Sequence, residues 1–223
     1  MIAQALWAAT QTVREEHTVH SLHAYFILGG NLSEPVRYEV DRVRNGRSFT
    51  TRRVAARQSS GAILILSCSF QADESGPETQ SAHLPEVPSP GELVEEWDAG
   101  MLRCDIEVPA QPPRSMAWVR YPDGLSDDPR LHSCALAYLS DVNPMSAVHR
   151  SFPVVPQDEL MGASLDHTMW FHRPARADDW LLVDMNAHGM IRSRGLATGT
   201  VFHPGGAHIA SIAQEGLLRL PRS

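Results

Sequence analysis

The chain has 223 residues, of which 43% are hydrophobic and 20% charged, a composition typical of a folded globular protein. The formal net charge is −7 and all 19 basic residues are arginines, which argues against a nucleic-acid-binding protein. No apolar stretch approaches the roughly 20 residues of a membrane-spanning helix, and no signal peptide is evident, so we expect a cytoplasmic protein without a membrane partner.

The N-terminal half, residues 1–72, predicts one helix followed by four strands joined by hairpins. Ile2, Leu6 and Ala9 recur at the spacing of one helical face. Asn45-Gly46 indicates a two-residue hairpin turn, because a type I′ turn needs positive φ at both central positions. The predicted strands cover residues 19–28, 36–41, 47–58 and 62–71, and the second of them alternates between apolar and charged side chains.

The next segment, residues 73–114, differs in composition from the rest of the chain. It contains seven of the 16 prolines and many acidic residues, and it shows little periodicity. Proline removes a backbone donor and holds its neighbours extended, so we interpret the segment as a Pro-rich linker or long surface loop. It separates the N-terminal half from a C-terminal half, residues 115–223.

The C-terminal half repeats the order of the first. Asp128 followed by Pro129 predicts the start of a helix, and Leu131, Ala135 and Leu139 form its apolar face. Four strands are then predicted, at residues 163–172, 180–185, 195–203 and 208–218.

The repeated order indicates an internal duplication. A shift of 144 residues places one set of strands on the other and aligns His23 with His167. The matched order of helix, strands and glycine turns is better evidence than the few identities. We therefore predict an α+β fold of two antiparallel sheets, each curled round a long central helix.

Asp141 stands in the last turn of the second predicted helix, where a carboxylate opposes the helix dipole by about 0.3–1 kcal/mol. It also follows Cys134 and Tyr138 on a face that is not charged. Burial and the dipole would both raise its pKa, which suits a general base. The alternative interpretation is a solvated acid at the helix end, or a cap for the next turn.

Gln214 and Ser164 are two further polar residues in predicted strands. A buried Gln214 amide needs hydrogen-bond partners and can hold a water or a carbonyl, whereas an edge glutamine would bond to backbone. Ser164 opens its strand, where serine is usually part of turn chemistry. A hydrolase triad of Ser164, His167 and Asp141 can also be drawn, although the G-x-S-x-G motif is incomplete.

The sequence does not predict a metal or phosphate site. His17, His20 and His23 are three residues apart, and positions i and i+3 of a strand point to opposite faces. The three cysteines are widely spaced, which excludes a CxxC metal site and a disulfide framework. The glycines do not open a helix as those of a phosphate-binding loop do.

Several strings of the sequence resemble the acyl-CoA thioesterase II family. In the first half they are AQALWAA, VHSLHAYF, RNGRSFTTRRV and SFQ. In the second half they are LAYLSD, ASLDHTMWFHRP, DDWLLVD, SRGLATGTVF and ASIAQEGL. The resemblance implies a double-hotdog fold. It also implies an enzyme that hydrolyses acyl-CoA to a free fatty acid and coenzyme A without a metal or cofactor.

The resemblance further assigns site residues. Family catalysis uses an Asp, a Ser or Thr, and a Gln, which match Asp141 of LAYLSD, Ser164 of ASLDH and Gln214 of AQEG. Asp141 would accept a proton from a water molecule that Ser164 and Gln214 position. The acyl chain would lie in an apolar tunnel between helix and sheet, and a backbone N–H near the N-terminal helix would bind the oxyanion.

Family members carry an opening strand before the AQAL helix, and this chain starts inside that region. We therefore expect the first half to lack one strand and the chain to form a homo-oligomer, a dimer or larger, that covers the exposed edge. Two other functions remain open. One is a non-catalytic acyl-CoA-binding or scaffold protein of the same fold, and the other is a serine esterase that uses Ser164 as its nucleophile.

Overall fold

The computed structural model describes residues 1–109, 111–142, 144–150 and 161–219, so the end of the predicted C-terminal half, residues 220–223, lies outside the described residues. The helices are α1 (Ile2–Thr10), α2 (Pro129–Asp141) and α3 (Ser146–His149), with a 3₁₀ turn at Pro90–Glu92. The strands are β1 (His17–Phe26), β2 (Arg37–Asn45), β3 (Phe49–Gln58), β4 (Gly61–Ala72), β5 (Glu96–Asp98), β6 (Met101–Ile106), β7 (Arg114–Arg120), β8 (Met161–Ser164), β9 (Asp166–Phe171), β10 (Leu181–Ile191), β11 (Arg194–Phe202) and β12 (His208–Arg219).

The described strands form one continuous antiparallel sheet. Its order is β2-β3-β4-β1-β9-β12-β11-β10-β7-β6-β5, and β8 pairs in addition with β12. The two halves meet where β1 pairs with β9, with Ala24 opposite His167. The prediction of two separate sheets is wrong on this point, because hydrogen bonds between these two strands satisfy what would otherwise be two exposed edges.

The strand order supports an internal duplication, since β1-β4-β3-β2 mirrors β9-β12-β11-β10 across the central pair. The constant shift of 144 residues is nevertheless wrong. His167 is fully buried, whereas the side chain of His23 is 42% exposed, so the two identical residues lie on opposite faces. Successive side chains of a strand alternate between faces, and an alignment slip of one residue therefore exchanges inside and outside.

Helices α1 and α2 pack against each other and against the sheet. Their buried faces belong to the main hydrophobic core, to which α1 contributes Ile2, Leu6 and Ala9 and α2 contributes Leu136 and Leu139. The two helices therefore share one core instead of each filling a separate sheet. None of the helices in the described ranges combines the length and apolar character needed to span a bilayer.

Helix α2 begins where the sequence predicts it. Pro129 is its first residue, and the carboxylate of the N-cap Asp128 accepts a hydrogen bond from the backbone N–H of Arg130 at 2.9 Å. An N-cap oxygen satisfies one of the donors that a helix start leaves free, and proline suits the first position because it has no N–H.

The segment predicted as a linker contains part of the sheet, so that interpretation is wrong for residues 96–106. Strands β5 and β6 lie within it and extend the sheet beyond β7. Residues before β5 pack on β7: Trp118 Nε1 donates to the Pro88 carbonyl at 2.8 Å, and Leu84 and Val87 join the core cluster around Trp118. Strands of three and six residues are too short to show a clear period among prolines.

Arg52 joins the loop after α1 to the β2–β3 hairpin. It is 1% exposed and donates five hydrogen bonds of 2.6–2.9 Å. The acceptors are Oγ1 and the carbonyl of Thr12, the carbonyls of Arg44 and Thr51, and Oδ1 of Asn45. Because every acceptor is neutral, it is the complete pairing of the guanidinium donors that offsets the cost of burying the charge.

We expect Arg52→Met to lower the free energy of unfolding by on the order of 3 kcal/mol, because buried acceptors lose their donors. Urea unfolding of the wild type and the variant measures the difference. Arg53→Met is the matched control, since Arg53 is exposed on the other face of β3 and a change there should stay within about 0.5 kcal/mol. Equal losses in both variants would contradict the assigned role.

Candidate active site

Asp141, Ser164 and Gln214 come from three elements that the fold brings together. Asp141 is the last residue of α2, Ser164 is the last residue of β8, and Gln214 lies within β12. Strand β8 pairs with β12 so that Ser164 stands opposite Gly216, which lies two residues from Gln214 and on the same face of β12. Strand β9 follows β8 along the same edge of β12, while β11 occupies the other edge, and β9 carries His167 toward the same place.

Gln214 connects the group. Its Nε2 donates a hydrogen bond to Oγ of Ser164 at 2.7 Å, and its Oε1 lies 2.5 Å from Nδ1 of His167. The same Nδ1 is 3.9 Å from Oδ1 of Asp141. Gln214 and His167 are at most 1% exposed, whereas the side chain of Asp141 is 24% exposed, so the group has a buried inner part and a side open to solvent. The three residues predicted as a site are therefore neighbours in space, with His167 between two of them.

His167 and Ser140 are polar residues at this site to which the sequence analysis assigns no positioning role. Nε2 of His167 lies 3.0 Å from Oγ of Ser140, and both residues are buried. Only a weak sequence pattern pointed to these two residues. His167 alternates with Met169 on the buried side of β9, and Ser140 precedes Asp141 on the buried side of α2.

The environment shifts the two titratable groups in opposite directions. Burial raises the pKa of Asp141 to about 7, and the positive charge of the Met1 amino group opposes that increase. Burial lowers the pKa of His167 to about 4, against the effect of its hydrogen bond to Gln214. Both shifts favour the uncharged form. Near neutral pH, the imidazole is therefore neutral and Asp141 is divided between carboxyl and carboxylate.

An apolar cleft of about 840 Å³ lies between α1 and α2. Helix α2 lines it up to Tyr138, one turn before Asp141. The lining residues are mostly apolar or aromatic and include Ala3, Trp7, Ala8, Leu131, Cys134 and Ala135. The size is typical of small-molecule sites in proteins, and its end near Asp141 places apolar surface beside the polar group.

Within the described ranges, histidine, cysteine, aspartate and glutamate side chains do not form a group of three that could hold a metal ion. The three histidines of β1 have different surroundings. His17 is buried, His20 lies at a β-bulge, and Nε2 of His23 is 3.5 Å from Oδ2 of Asp166.

The triad of Ser164, His167 and Asp141 does not form. The two ring nitrogens of His167 face Gln214 and Ser140, and Ser164 accepts its hydrogen bond from Gln214. A serine nucleophile needs a base within hydrogen-bond reach of its own hydroxyl. Both ring nitrogens of His167 have other partners, so the predicted serine-hydrolase triad of Ser164, His167 and Asp141 is wrong.

Comparison with known proteins identifies the family. Residues 1–71 match the acyl-CoA thioesterase N-terminal domain, and residues 71–218 match the acyl-CoA thioesterase C-terminal domain. The chain belongs to the acyl-CoA thioesterase family. Acyl-coenzyme A thioesterase 8 of Mus musculus is 34% identical, over 99% of this chain and 79% of the relative. Acyl-CoA thioesterase 2 of Haemophilus influenzae is 30% identical, over 98% of this chain and 86% of the relative.

One solved structure agrees with the acyl-CoA thioesterase family, and a second, more distant one shows the fold. An acyl-CoA thioesterase II from Mycobacterium marinum superposes with a TM-score of 0.90 at 37% identity, over 98% of this chain and 87% of the other. A protein with a hot dog fold from Alicyclobacillus acidocaldarius gives a TM-score of 0.77 at 18% identity, over 99% and 86%. These superpositions confirm the predicted hotdog fold for this chain.

The raised pKa of Asp141 predicts a pH-dependent effect of Asp141→Asn on stability. In the unfolded chain the carboxyl ionises near pH 4, whereas in the folded chain it ionises near 7. Folding therefore opposes ionisation, and the wild type loses stability relative to the variant as the pH rises through this window. Between pH 5 and pH 8 we expect the stability of Asp141→Asn relative to the wild type to increase by on the order of 2 kcal/mol.

Urea unfolding of both proteins at the two pH values measures this difference. Asp123→Asn serves as the control, because Asp123 is exposed and the substitution should have the same small effect at both pH values. A stability difference for Asp141→Asn that does not change between pH 5 and pH 8 would show that burial does not raise this pKa.

Proposed function

We propose that the chain hydrolyses acyl-CoA thioesters to a free fatty acid and coenzyme A, with Asp141, Ser164 and Gln214 at the reaction centre. The observation that carries this proposal is the convergence of the Asp141 carboxyl and the hydrogen-bonded Ser164–Gln214 pair on His167, one helical turn from an apolar cleft. A general base works best when its pKa lies near the working pH. Family membership and the names of the relatives support the substrate class.

In the proposed mechanism, the ionised carboxylate of Asp141 accepts a proton from a water molecule. The water oxygen bonds to the thioester carbonyl carbon, and the carbonyl electrons move onto its oxygen. When they return, the carbon–sulfur bond breaks, and the sulfur leaves with the bonding pair and takes the proton from Asp141. Ser164 and Gln214 hold the water, which lowers the entropic barrier to attack. A thioester has weak resonance and a good leaving group, so a positioned water suffices.

We place the oxyanion site at the first turn of α1. Met1 and Ala3 line the same cleft as Tyr138, and the charge of the Met1 amino group opposes the rise in the pKa of Asp141, so the start of this helix lies close to the carboxyl group. The first backbone N–H groups of a helix have no intrahelical partner and carry partial positive charge. Donors aimed at a developing oxyanion are commonly worth a factor of about 100 or more in rate.

The cleft between α1 and α2 is the proposed acyl site. Its lining offers apolar contact along the helices and ends near Asp141, so a bound chain can present its thioester to the polar group. This differs in position from the sequence expectation of a tunnel between helix and sheet, because α1 and α2 lie side by side and leave the space between their outer faces. Apolar burial supplies the binding free energy in proportion to the area covered.

Asp141→Asn tests the proposed base. We expect kcat for thioester hydrolysis to fall by about 100-fold or more, because general-base catalysis contributes factors of that size. Release of coenzyme A thiol is the measurement, with several acyl-CoA substrates. Asp123→Asn, the exposed carboxylate used above, should retain wild-type turnover. Tight acyl-CoA binding by the wild type without thiol release would instead support the non-catalytic alternative.

The same base predicts the pH profile of the wild type. Only the ionised form of Asp141 can accept the proton, and its pKa is about 7. Activity should therefore rise with pH through 7 and level off above it, so that at pH 6 kcat/KM is roughly a tenth of its plateau value. A profile that is flat from pH 5 to 8 would exclude a base with this pKa.

Ala8→Trp tests the proposed acyl site. Ala8 lines the cleft, and a tryptophan there would occupy space that a long acyl chain needs. We expect KM for long-chain acyl-CoA to rise by about 10-fold, because each methylene group that loses its contact weakens binding. KM for acetyl-CoA should change little, because its acyl group is too short to lose such contacts. Ser75→Trp, at an exposed position outside the cleft, is the control. An unchanged chain-length preference in Ala8→Trp would move the acyl site elsewhere.

A further inference from the structure

His167 is a fully buried imidazole with a polar partner at each ring nitrogen. Nδ1 faces two oxygens, Oε1 of Gln214 at 2.5 Å and Oδ1 of Asp141 at 3.9 Å. Nε2 faces Oγ of Ser140 at 3.0 Å. A neutral imidazole has one donor nitrogen and one acceptor nitrogen, so these partners decide where its proton is.

The partners of Nδ1 place the proton on that nitrogen. The amide oxygen of Gln214 has no hydrogen to donate, so Nδ1 must be the donor of the bond at 2.5 Å. When Asp141 is ionised, a lone pair on Nδ1 would also point toward its carboxylate and be repelled by it, whereas an N–H is attracted. Nε2 is then the acceptor, which requires the single hydroxyl proton of Ser140 to turn to the ring at 3.0 Å and away from the Ala137 carbonyl at 3.1 Å and Sδ of Met169 at 3.6 Å.

The direction of these hydrogen bonds continues to Ser164. Because Oε1 of Gln214 accepts from the ring, the amide presents its Nε2 to Oγ of Ser164, and donates there at 2.7 Å. An amide has a donor end and an acceptor end, so fixing one fixes the other. Ser164 therefore accepts from Gln214, and its own hydroxyl proton is left to donate to another group in the site.

We infer that His167 is a positioning residue that acts through Gln214: its Nδ1–H fixes the orientation of the Gln214 amide and thereby the direction of the Ser164 hydroxyl toward the attacking water. Ser140 contributes by holding the ring in the tautomer that has the proton on Nδ1. This inference rests on the proposed thioester hydrolysis for its effect on rate, but the tautomer and the amide orientation are independent of it.

The burial of the ring fits this role. His167 has a pKa of about 4, so it stays neutral throughout the pH range in which Asp141 ionises. A neutral ring keeps one donor and one acceptor, and the chain of bonds keeps its direction. A protonated ring would donate from both nitrogens and could no longer accept from Ser140.

Two substitutions separate the two ring nitrogens. The amide nitrogen of asparagine can occupy approximately the place of Nδ1, whereas that of glutamine reaches approximately the place of Nε2. We expect His167→Gln to lower kcat by about 100-fold, because Gln214 loses its fixed orientation and the water its position. His167→Asn should retain most of the wild-type kcat. KM for acyl-CoA should be unchanged in both, since the ring does not touch the substrate.

Two further variants complete the kinetic comparison. Ser140→Ala removes the donor to Nε2 and should reduce kcat less than His167→Gln, because the ring itself remains. His188→Asn is the matched control, since His188 is exposed on β10 and bonds Thr198. It should leave kcat and KM unchanged. Thermal unfolding of every variant shows whether a rate loss reflects unfolding, and His167→Asn and His167→Gln must be compared at equal folded fraction.

A spectroscopic measurement tests the proton location without activity. In protein labelled with ¹⁵N-histidine, NMR of the ring nitrogens distinguishes the protonated from the unprotonated nitrogen, and the absence of one signal set in His167→Asn assigns His167. We expect the Nδ1–H tautomer in the wild type and a reduced preference for it in Ser140→Ala. An Nε2–H tautomer in the wild type would overturn the inference.

The kinetic measurements and the ring spectrum test different claims, so one claim can be overturned while the other is supported. Equal kcat in His167→Asn and His167→Gln would overturn the positioning role, whether both are active or both inactive. If the wild type releases no coenzyme A thiol, the proposed function fails, whereas the ring spectrum still supports or overturns the assigned orientation of the network.

Discussion

The burial of one carboxyl group, Asp141, is the constraint on which the site depends. Water stabilises a carboxylate strongly, and a residue at the end of a helix ordinarily remains in contact with it. Here only 24% of the Asp141 side chain is exposed, and the loss of water around the carboxyl group raises its pKa to about 7. The position also opposes the helix dipole. Asp141 therefore lowers the stability of the fold. The shared core of α1 and α2 and the continuous sheet must offset this loss.

The duplication explains why one half carries the polar network and the other does not. In the first half, β1 and β4 bury Leu22 opposite Cys68 and extend an apolar core. In the second half, β9 and β12 bury His167 and Gln214 in hydrogen-bond contact. A buried polar group needs a specific set of hydrogen-bond partners, whereas a buried apolar side chain needs only neighbours that leave it a space of the right size. Duplicated halves can thus keep one architecture while a single copy specialises.

Sequence patterns predicted the local structure well and the long-range arrangement poorly. The cap at Asp128 and the alternating strands depend on neighbours in the chain, and the structure confirms them. The β2–β3 hairpin is also present, but neither Asn45 nor Gly46 has a positive φ and β3 begins only at Phe49, so the predicted two-residue type I′ turn is wrong. The merger of two sheets and the strands within residues 73–114 depend on pairing between distant segments, which periodicity does not encode. Asp141, Ser164 and Gln214 were singled out individually as polar residues in predicted elements, but their assignment to one site came from the family resemblance, because their convergence is a property of strand order and not of spacing.

His167 was missed as a positioning residue because, in the sequence, a buried histidine in a strand resembles any other inward-facing residue. Its lack of charge is nevertheless what allows Asp141 to keep a raised pKa. An imidazolium 3.9 Å from Asp141 would attract the carboxylate and lower its pKa, so the base would weaken. Burial prevents this by keeping the pKa of His167 near 4, well below that of Asp141. The same desolvation that strengthens the base therefore keeps its neighbour uncharged, and the ring can donate a hydrogen bond without neutralising the carboxylate.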